Sequence, residues 1–201
     1  KSAINQYTTT WGVHPSGDEP YDVEAMYFGS DASNLYIAVI TSFGPPGGYQ
    51  ESRLDNKLVV TGDLALDLGL NGAYGDGFHY DYGININQEK RQSGKDATSG
   101  GSAVGQDVYR TANSDWYLGN PSVAATTSHL SNFDPNYKGF SGALLGEAKV
   151  NYYEYLFAGG KLENGAATYV IEATIPRSLL VGLAPDGSIG VSWMPGCAND
   201  V

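Results

Sequence analysis

Tyr21-Asp22-Val23-Glu24-Ala25-Met26-Tyr27-Phe28, then Gly29-Ser30-Asp31-Ala32-Ser33-Asn34, then Leu35-Tyr36-Ile37-Ala38-Val39 make two alternating runs around a turn. Side chains of an extended strand point to opposite faces in turn, so period-two alternation is the mark of a strand with one buried side. The residues between the runs are small or polar, which is turn composition. Strands are therefore predicted over Glu24–Phe28 and Leu35–Phe43.

Outward from this hairpin the period of two recurs, and no sustained helical period interrupts it. From Lys1 to Val13, alternation puts Tyr7, Trp11 and Val13 on one face of an N-terminal strand. Gly44-Pro45-Pro46-Gly47-Gly48 breaks the chain. Over Lys57–Leu68, Leu64, Leu66 and Leu68 face one way, and Asp63, Ala65 and Asp67 the other. Tyr80, Tyr82, Ile84 and Ile86 alternate with His79, Asp81, Asn85 and Asn87, the pattern of a half-buried strand. Gln88–Gln106 is polar, Gly/Ser-rich and locally basic, and reads as a long surface loop. Short strands are expected at Val108–Thr111 and Trp116–Leu118, with irregular chain through Gly142. Glu147–Phe157 and Ala167–Ile175 read as neighbours joined near Asn164-Gly165, a dipeptide suited to type I′ turns. Only Pro176–Leu183 leaves room for a helical turn. The sum is an all-β chain of about ten to twelve short strands with at most one short helix, predicted to pack as a two-sheet jelly-roll β-sandwich. No linker divides it, so residues 1–201 read as one domain.

At 201 residues the chain is long enough to bury a substantial core. Its 11 Lys and Arg stand against 22 Asp and Glu, a net charge of −11 that disfavours nucleic acid and anionic membrane as partners. Charged residues make up only 16%, while Gly (27) and Tyr (15) are abundant, a mix suited to turn-rich extracellular β proteins. No apolar run approaches the ~20 residues of a membrane span. Cys197 is the one cysteine, so no disulfide forms within the chain; it reads as a buried thiol or as a link between chains. Lys1, with no initiator Met before it, reads as the start of a processed, mature chain.

In the tail, the strand Thr168–Ile175 ends at Ile175-Pro176, a short Ser178–Leu183 segment follows, and Ile189–Trp193 runs on to Cys197-Ala198-Asn199-Asp200. That order resembles the C-terminal half of secreted bacterial β-sandwich proteins that carry a PEP-CTERM sorting signal. In those proteins a Trp, a Cys-Gly-Asn-Asp-like element and a removable membrane anchor follow one another. The Tyr21–Val39 hairpin and Gly62-Asp63-Leu64-Ala65-Leu66-Asp67 resemble their opening strands. More distantly, the arrangement is similar to carbohydrate-binding family 9 and DOMON-like jelly rolls. There the strand equivalent to Tyr169–Ile175 has a Glu in its middle and ends in Ile-Pro. The likeness covers most of the chain outside Gln88–Leu145 and departs from the pattern at Ala198, where Gly is expected. It implies a jelly roll secreted to the cell surface or extracellular matrix, its anchor already removed.

Catalytic patterns are missing. His14, His79 and His129 sit in unrelated contexts, and no Ser lies in a Gly-x-Ser-x-Gly elbow. Phosphate-binding glycine loops and zinc or haem ligand spacing are absent too, so the chain reads as non-catalytic, with a glycosidase-type carboxylate pair among its 22 acids as the enzymatic alternative. Calcium is the candidate cofactor. Asp18, Glu19, Asp22 and Glu24 crowd the start of a strand. If Met26 and Phe28 face the core, period two places Asp22 and Glu24 on the same side. Paired carboxylates at a core rim then call for a hard cation. Asp63, Asp67, Asn199 and Asp200 complete such a site if the tail packs beside the opening hairpin. In the opposite phase Val23, Ala25 and Tyr27 face inward and the acids are simply solvated.

Aromatic residues offer a second kind of site, because flat rings suit the apolar faces of sugars. Trp116, Tyr153 and Tyr155 are the glycan-binding candidates, with Trp11, Trp193 and Tyr152 as further rings. Alternation sets Tyr152 with Val150 and Leu156, and Tyr153 and Tyr155 opposite with Asn151; ordinary cross-strand packing explains the same pattern. The N-terminal segment Ser2–Val13, with Ile4, Tyr7, Trp11 and Val13 as its assembly residues, is either the first strand of its own sheet or a donor to the next subunit. The second arrangement does not close and makes a filament. The expected function is thus a non-catalytic extracellular structural or matrix protein, self-assembling head to tail by N-terminal donor-strand addition. The alternative is a calcium-dependent carbohydrate-binding module of an extracellular matrix, with polysaccharide as its partner.

Overall fold

A computed structural model describes residues 5–7, 23–42, 49–51, 57–59, 61–68, 80–86, 104–111, 116–118, 127–130, 141–155, 168–183 and 188–193. These residues are almost wholly β. The strands are β1 (Asn5–Tyr7), β2 (Val23–Ser30), β3 (Asn34–Thr41), β4 (Tyr49–Glu51), β5 (Lys57–Val59), β6 (Leu64–Leu68) and β7 (Tyr82–Ile84). They continue with β8 (Val104–Arg110), β9 (Trp116–Leu118), β10 (Thr127–Leu130), β11 (Ala143–Tyr155), β12 (Thr168–Pro176) and β13 (Ile189–Ser192). The one helical element among them is a 3₁₀ turn at Arg177–Leu179, within the stretch where the sequence leaves room for it. No helix among the described residues is long and apolar enough to cross a membrane.

Nine strands form one sheet in the order β1-β2-β3-β12-β11-β8-β7-β6-β13, and every neighbouring pair is antiparallel. β4–β5 and β9–β10 are separate two-stranded pairs. Alternation decides which side of the large sheet is apolar. Leu35, Ile37 and Val39 on β3 lie opposite Ile175, Ala173 and Ile171 on β12, and Ala173 and Ile171 lie opposite Val150 and Tyr152 on β11. Val108 on β8 lies opposite Ile84 on β7, which lies opposite Leu64 on β6. All of these side chains are buried in a single cluster. Each large aliphatic member contributes about 1.5–3 kcal/mol relative to exposure.

One sheet can bury one face against itself only by curling. β12 and β7 are separated by β11 and β8, three spacings, or roughly 14 Å in a flat sheet. Yet the Tyr82 hydroxyl on β7 donates to the Val181 carbonyl, just past β12, at 2.8 Å. The link between β12 and β13 therefore runs across the end of the curl, where Leu180 is buried in the core. The Arg177 N–H donates to the Ser33 carbonyl at 2.9 Å, tying the same link to the β2–β3 turn. Burial raises the Tyr82 hydroxyl above its ordinary pKa, so it remains a donor.

Several elements differ from expectation. Lys57–Leu68 is two strands in two sheets, β5 and β6. β8 begins at Val104, so the end of the expected Gln88–Gln106 loop is ladder, and Gln106 is buried opposite Ala148. Thr127–Leu130 is a strand where irregular chain was expected, and Tyr49–Glu51 is a further strand, past the Gly44–Gly48 break. β2 carries a bulge: Val23 pairs with Thr41 and Ala25 with Ile40. Hence Val23 shares the core with the partly buried Met26 and Phe28, a combination neither simple phase of the strand allows.

Candidate functional site

Because β2, β3, β12 and β11 pair in sequence, their outward residues line up in rows across the sheet. Tyr27, Ala38, Glu172 and Asn151 form one row. Gly29, Tyr36, Thr174 and Lys149 form the next. Ala25, Ile40, Val170 and Tyr153 form a third. Large and small residues alternate, with Gly29 beside Tyr36 and Ala38 beside Tyr27. The result is a solvent-open trough of about 530 Å³ whose lining includes Tyr27, Gly29, Tyr36, Ala38, Glu172 and Thr174. Glu172 is exposed at its side, and no hydrogen bond or ion pair ties it to any described residue.

One end of the trough is built by the β2–β3 turn. Asp31 Oδ1 accepts the backbone N–H of Ser33 at 2.7 Å and of Asn34 at 2.8 Å. This closes the turn on its own side chain. Its Oδ2 accepts the Tyr36 hydroxyl at 2.7 Å, which holds the ring against the hairpin. The Tyr36 hydroxyl and the two backbone donors lower the Asp31 pKa, with Arg177 adding a smaller attraction. The same hydrogen bond raises the Tyr36 pKa.

The other half of the sheet uses its acids structurally. Asp63 is 2% exposed, and its Oδ1 accepts the Ile86 N–H beyond the end of β7. Asp81 Oδ2 accepts the Leu68 N–H at 2.8 Å at the opposite end of β6. The two carboxylates thus bracket the short β6–β7 pair. Trp193 Nε1 donates to the Gly62 carbonyl at 3.0 Å and is itself buried, so β13 is pinned beside β6.

These placements sort the sequence candidates. Asp63 and Asp67 lie on the side opposite Leu64 and Leu66, as alternation predicts, and both are buried. No group of three or more His, Cys, Asp or Glu among the described residues is arranged to hold a metal ion. Asp18, Glu19, Asp22, Asn199, Asp200, Cys197, Ile4, Trp11 and Val13 lie outside the described residues, as does the Asn164-Gly165 turn. Tyr7 in β1, Glu24 in β2, Trp116 in β9 and Tyr155 in β11 are placed by backbone alone. Tyr153 stands on the outer face with Asn151, as expected, while Tyr152 and Trp193 belong to the core and offer no platform. Tyr27, Tyr36 and Glu172 were missed as a set. Glu172 was visible mid-strand, but nothing in the sequence says which strands flank β12.

The chain is thus an all-β protein built on one curled antiparallel sheet. Comparison with protein-family models, curated proteins and solved structures finds no match to it.

Proposed function

We propose that this chain is a non-catalytic structural protein of the cell surface or extracellular matrix that polymerises by exchanging β1 between subunits. The observation that carries the proposal is the position of β1. Among the described strands it is an edge, held to β2 through the Asn5–Phe28, Gln6–Tyr27 and Tyr7–Met26 pairs. Eight antiparallel interfaces separate β1 from β13, so the two edges run in the same direction. Translated copies stacked edge on edge would meet as parallel strands, the less stable pairing. Laying the next subunit's β1 on β2 reproduces the antiparallel register and gives a head-to-tail contact that does not close.

A finer architecture belongs to this proposal: a two-sheet jelly roll, with the β1–β2–β3–β12 side and the β7–β6–β13 side as its facing leaves. Its support is that both sides contribute to one core cluster. Kinship with PEP-CTERM β-sandwich proteins, and export, are part of the same proposal. So is calcium at the subunit joint, since the acids from Asp18 to Glu24 lie between β1 and the body of β2 in the chain. A second reading, a carbohydrate-binding module, draws on Asn151 and Tyr153 sharing the outer face of β11.

Deleting residues 1–13 and restoring them as a free peptide tests the assembly. The truncated chain is expected to be monomeric and to melt lower, and the peptide to raise its melting temperature by filling the β2 edge. A truncated chain that assembles and melts like the intact one would exclude strand exchange.

A further inference from the structure

We propose that the trough across β2, β3 and β12 binds the guanidinium group of an arginine side chain presented by a partner protein. The chemistry is local. Glu172 sits one strand from Ala38 and two from Tyr27 in the same row, so about 10 Å separates their backbones, with side chains free to lean together over a floor made shallow by a methyl group. Its carboxylate is exposed and engages none of the described residues, and two carboxylate oxygens match a bidentate donor. Tyr27 and Tyr36 wall the hollow, and ring faces attract cations, planar guanidinium above all. At the far side of Tyr36 stands a second carboxylate, Asp31, hydrogen-bonded to that ring's hydroxyl.

Among the described residues, two cations flank this arrangement without filling it. Lys149 stands opposite Thr174, and Arg177 is close enough to act on Asp31, yet neither lines the trough. A net charge of −11 adds long-range attraction for a basic partner. A neutral saccharide would stack on the tyrosines but leave the Glu172 charge uncompensated. A guanidinium satisfies ring and carboxylate together. The site is independent of whether β1 exchanges between subunits.

The test follows backbone amide shifts of the intact protein during titration with acetyl-Gly-Arg-Gly-amide, its citrulline counterpart and a neutral hexasaccharide. The arginine peptide is expected to shift residues of β2, β3 and β12, with the uncharged citrulline peptide inert. Glu172→Gln should weaken the arginine peptide about tenfold or more, an effect that shrinks as salt rises. Its melting temperature should match the parent, since Glu172 is exposed. Tyr27→Ala should weaken the same peptide with the fold intact. Equal binding of the citrulline peptide, unchanged affinity in Glu172→Gln, or shifts in these strands from the hexasaccharide alone would each overturn the proposal.

Discussion

Asp63 and Asp31 show how one residue type does different work according to burial. Asp63 is buried and accepts a backbone N–H that the three-residue β7 is too short to pair. Asp63→Ala leaves the Ile86 N–H without this acceptor and should cost about 1–3 kcal/mol in denaturant unfolding. A loss under half a kcal/mol would mean that this bond is dispensable. Asp31 is exposed, and its Tyr36 and backbone donors favour the ionised form. A carboxylate with a depressed native pKa stabilises the folded state above its unfolded pKa and loses that effect as pH falls through the native value. The turn should therefore stay closed through mildly acidic pH and loosen below the ordinary value of 3.8. In an NMR titration the Tyr36 ring signals should move with a midpoint under that value, and Asp31→Asn should abolish the movement. A midpoint at or above it would contradict the hydrogen-bonded turn.

At the scale of elements, the link that closes the curl depends on two glycines. Gly146, at the β11 bulge, has φ of 156°, and a Cβ there would lie 2.9 Å from Leu179 Cδ2. Gly182 has φ of 97° with open space around it. Gly182→Ala therefore isolates the backbone cost, about 1–2 kcal/mol. Gly146→Ala should cost more, because Leu179 must also move; equilibrium unfolding of the two variants measures the difference, and the reverse order would contradict this packing. Strands with an apolar side were legible in the sequence: Leu35–Val39 and Thr168–Ile175 announce themselves by alternation. β4, β10 and the start of β8 were not, because Tyr49–Glu51, Thr127–Leu130 and Gly105–Asp107 lack a repeated apolar position. Gln106 is buried among the core strands with an amide that mimics a loop residue. The trough was illegible for another reason. Alternation reveals the face a residue takes but not its neighbours, and Ala38 meets Glu172 only because β3 pairs with a strand far along the chain.

For the whole molecule, the proposed assembly rests on strand parity. The nine described strands of the sheet alternate and so have like-directed edges, whereas the same strands without β1 present β2 and β13 running opposite ways. On the proposed exchange, the edge left by β1 would accept an identical strand at no change in register, at a cost mainly in chain entropy. β13 at the other edge is joined to β6 over Ile189–Ser192 and pinned by the buried Trp193 just beyond it, whereas β1 is held to β2 by three residue pairs. The most direct measurement is negative-stain electron microscopy of the intact protein, with calcium and then with chelator, beside the chain lacking residues 1–13. The account predicts filaments from the intact protein, fewer or shorter after chelation, and single particles after truncation. Single particles in every condition, or filaments that survive loss of residues 1–13, would contradict it.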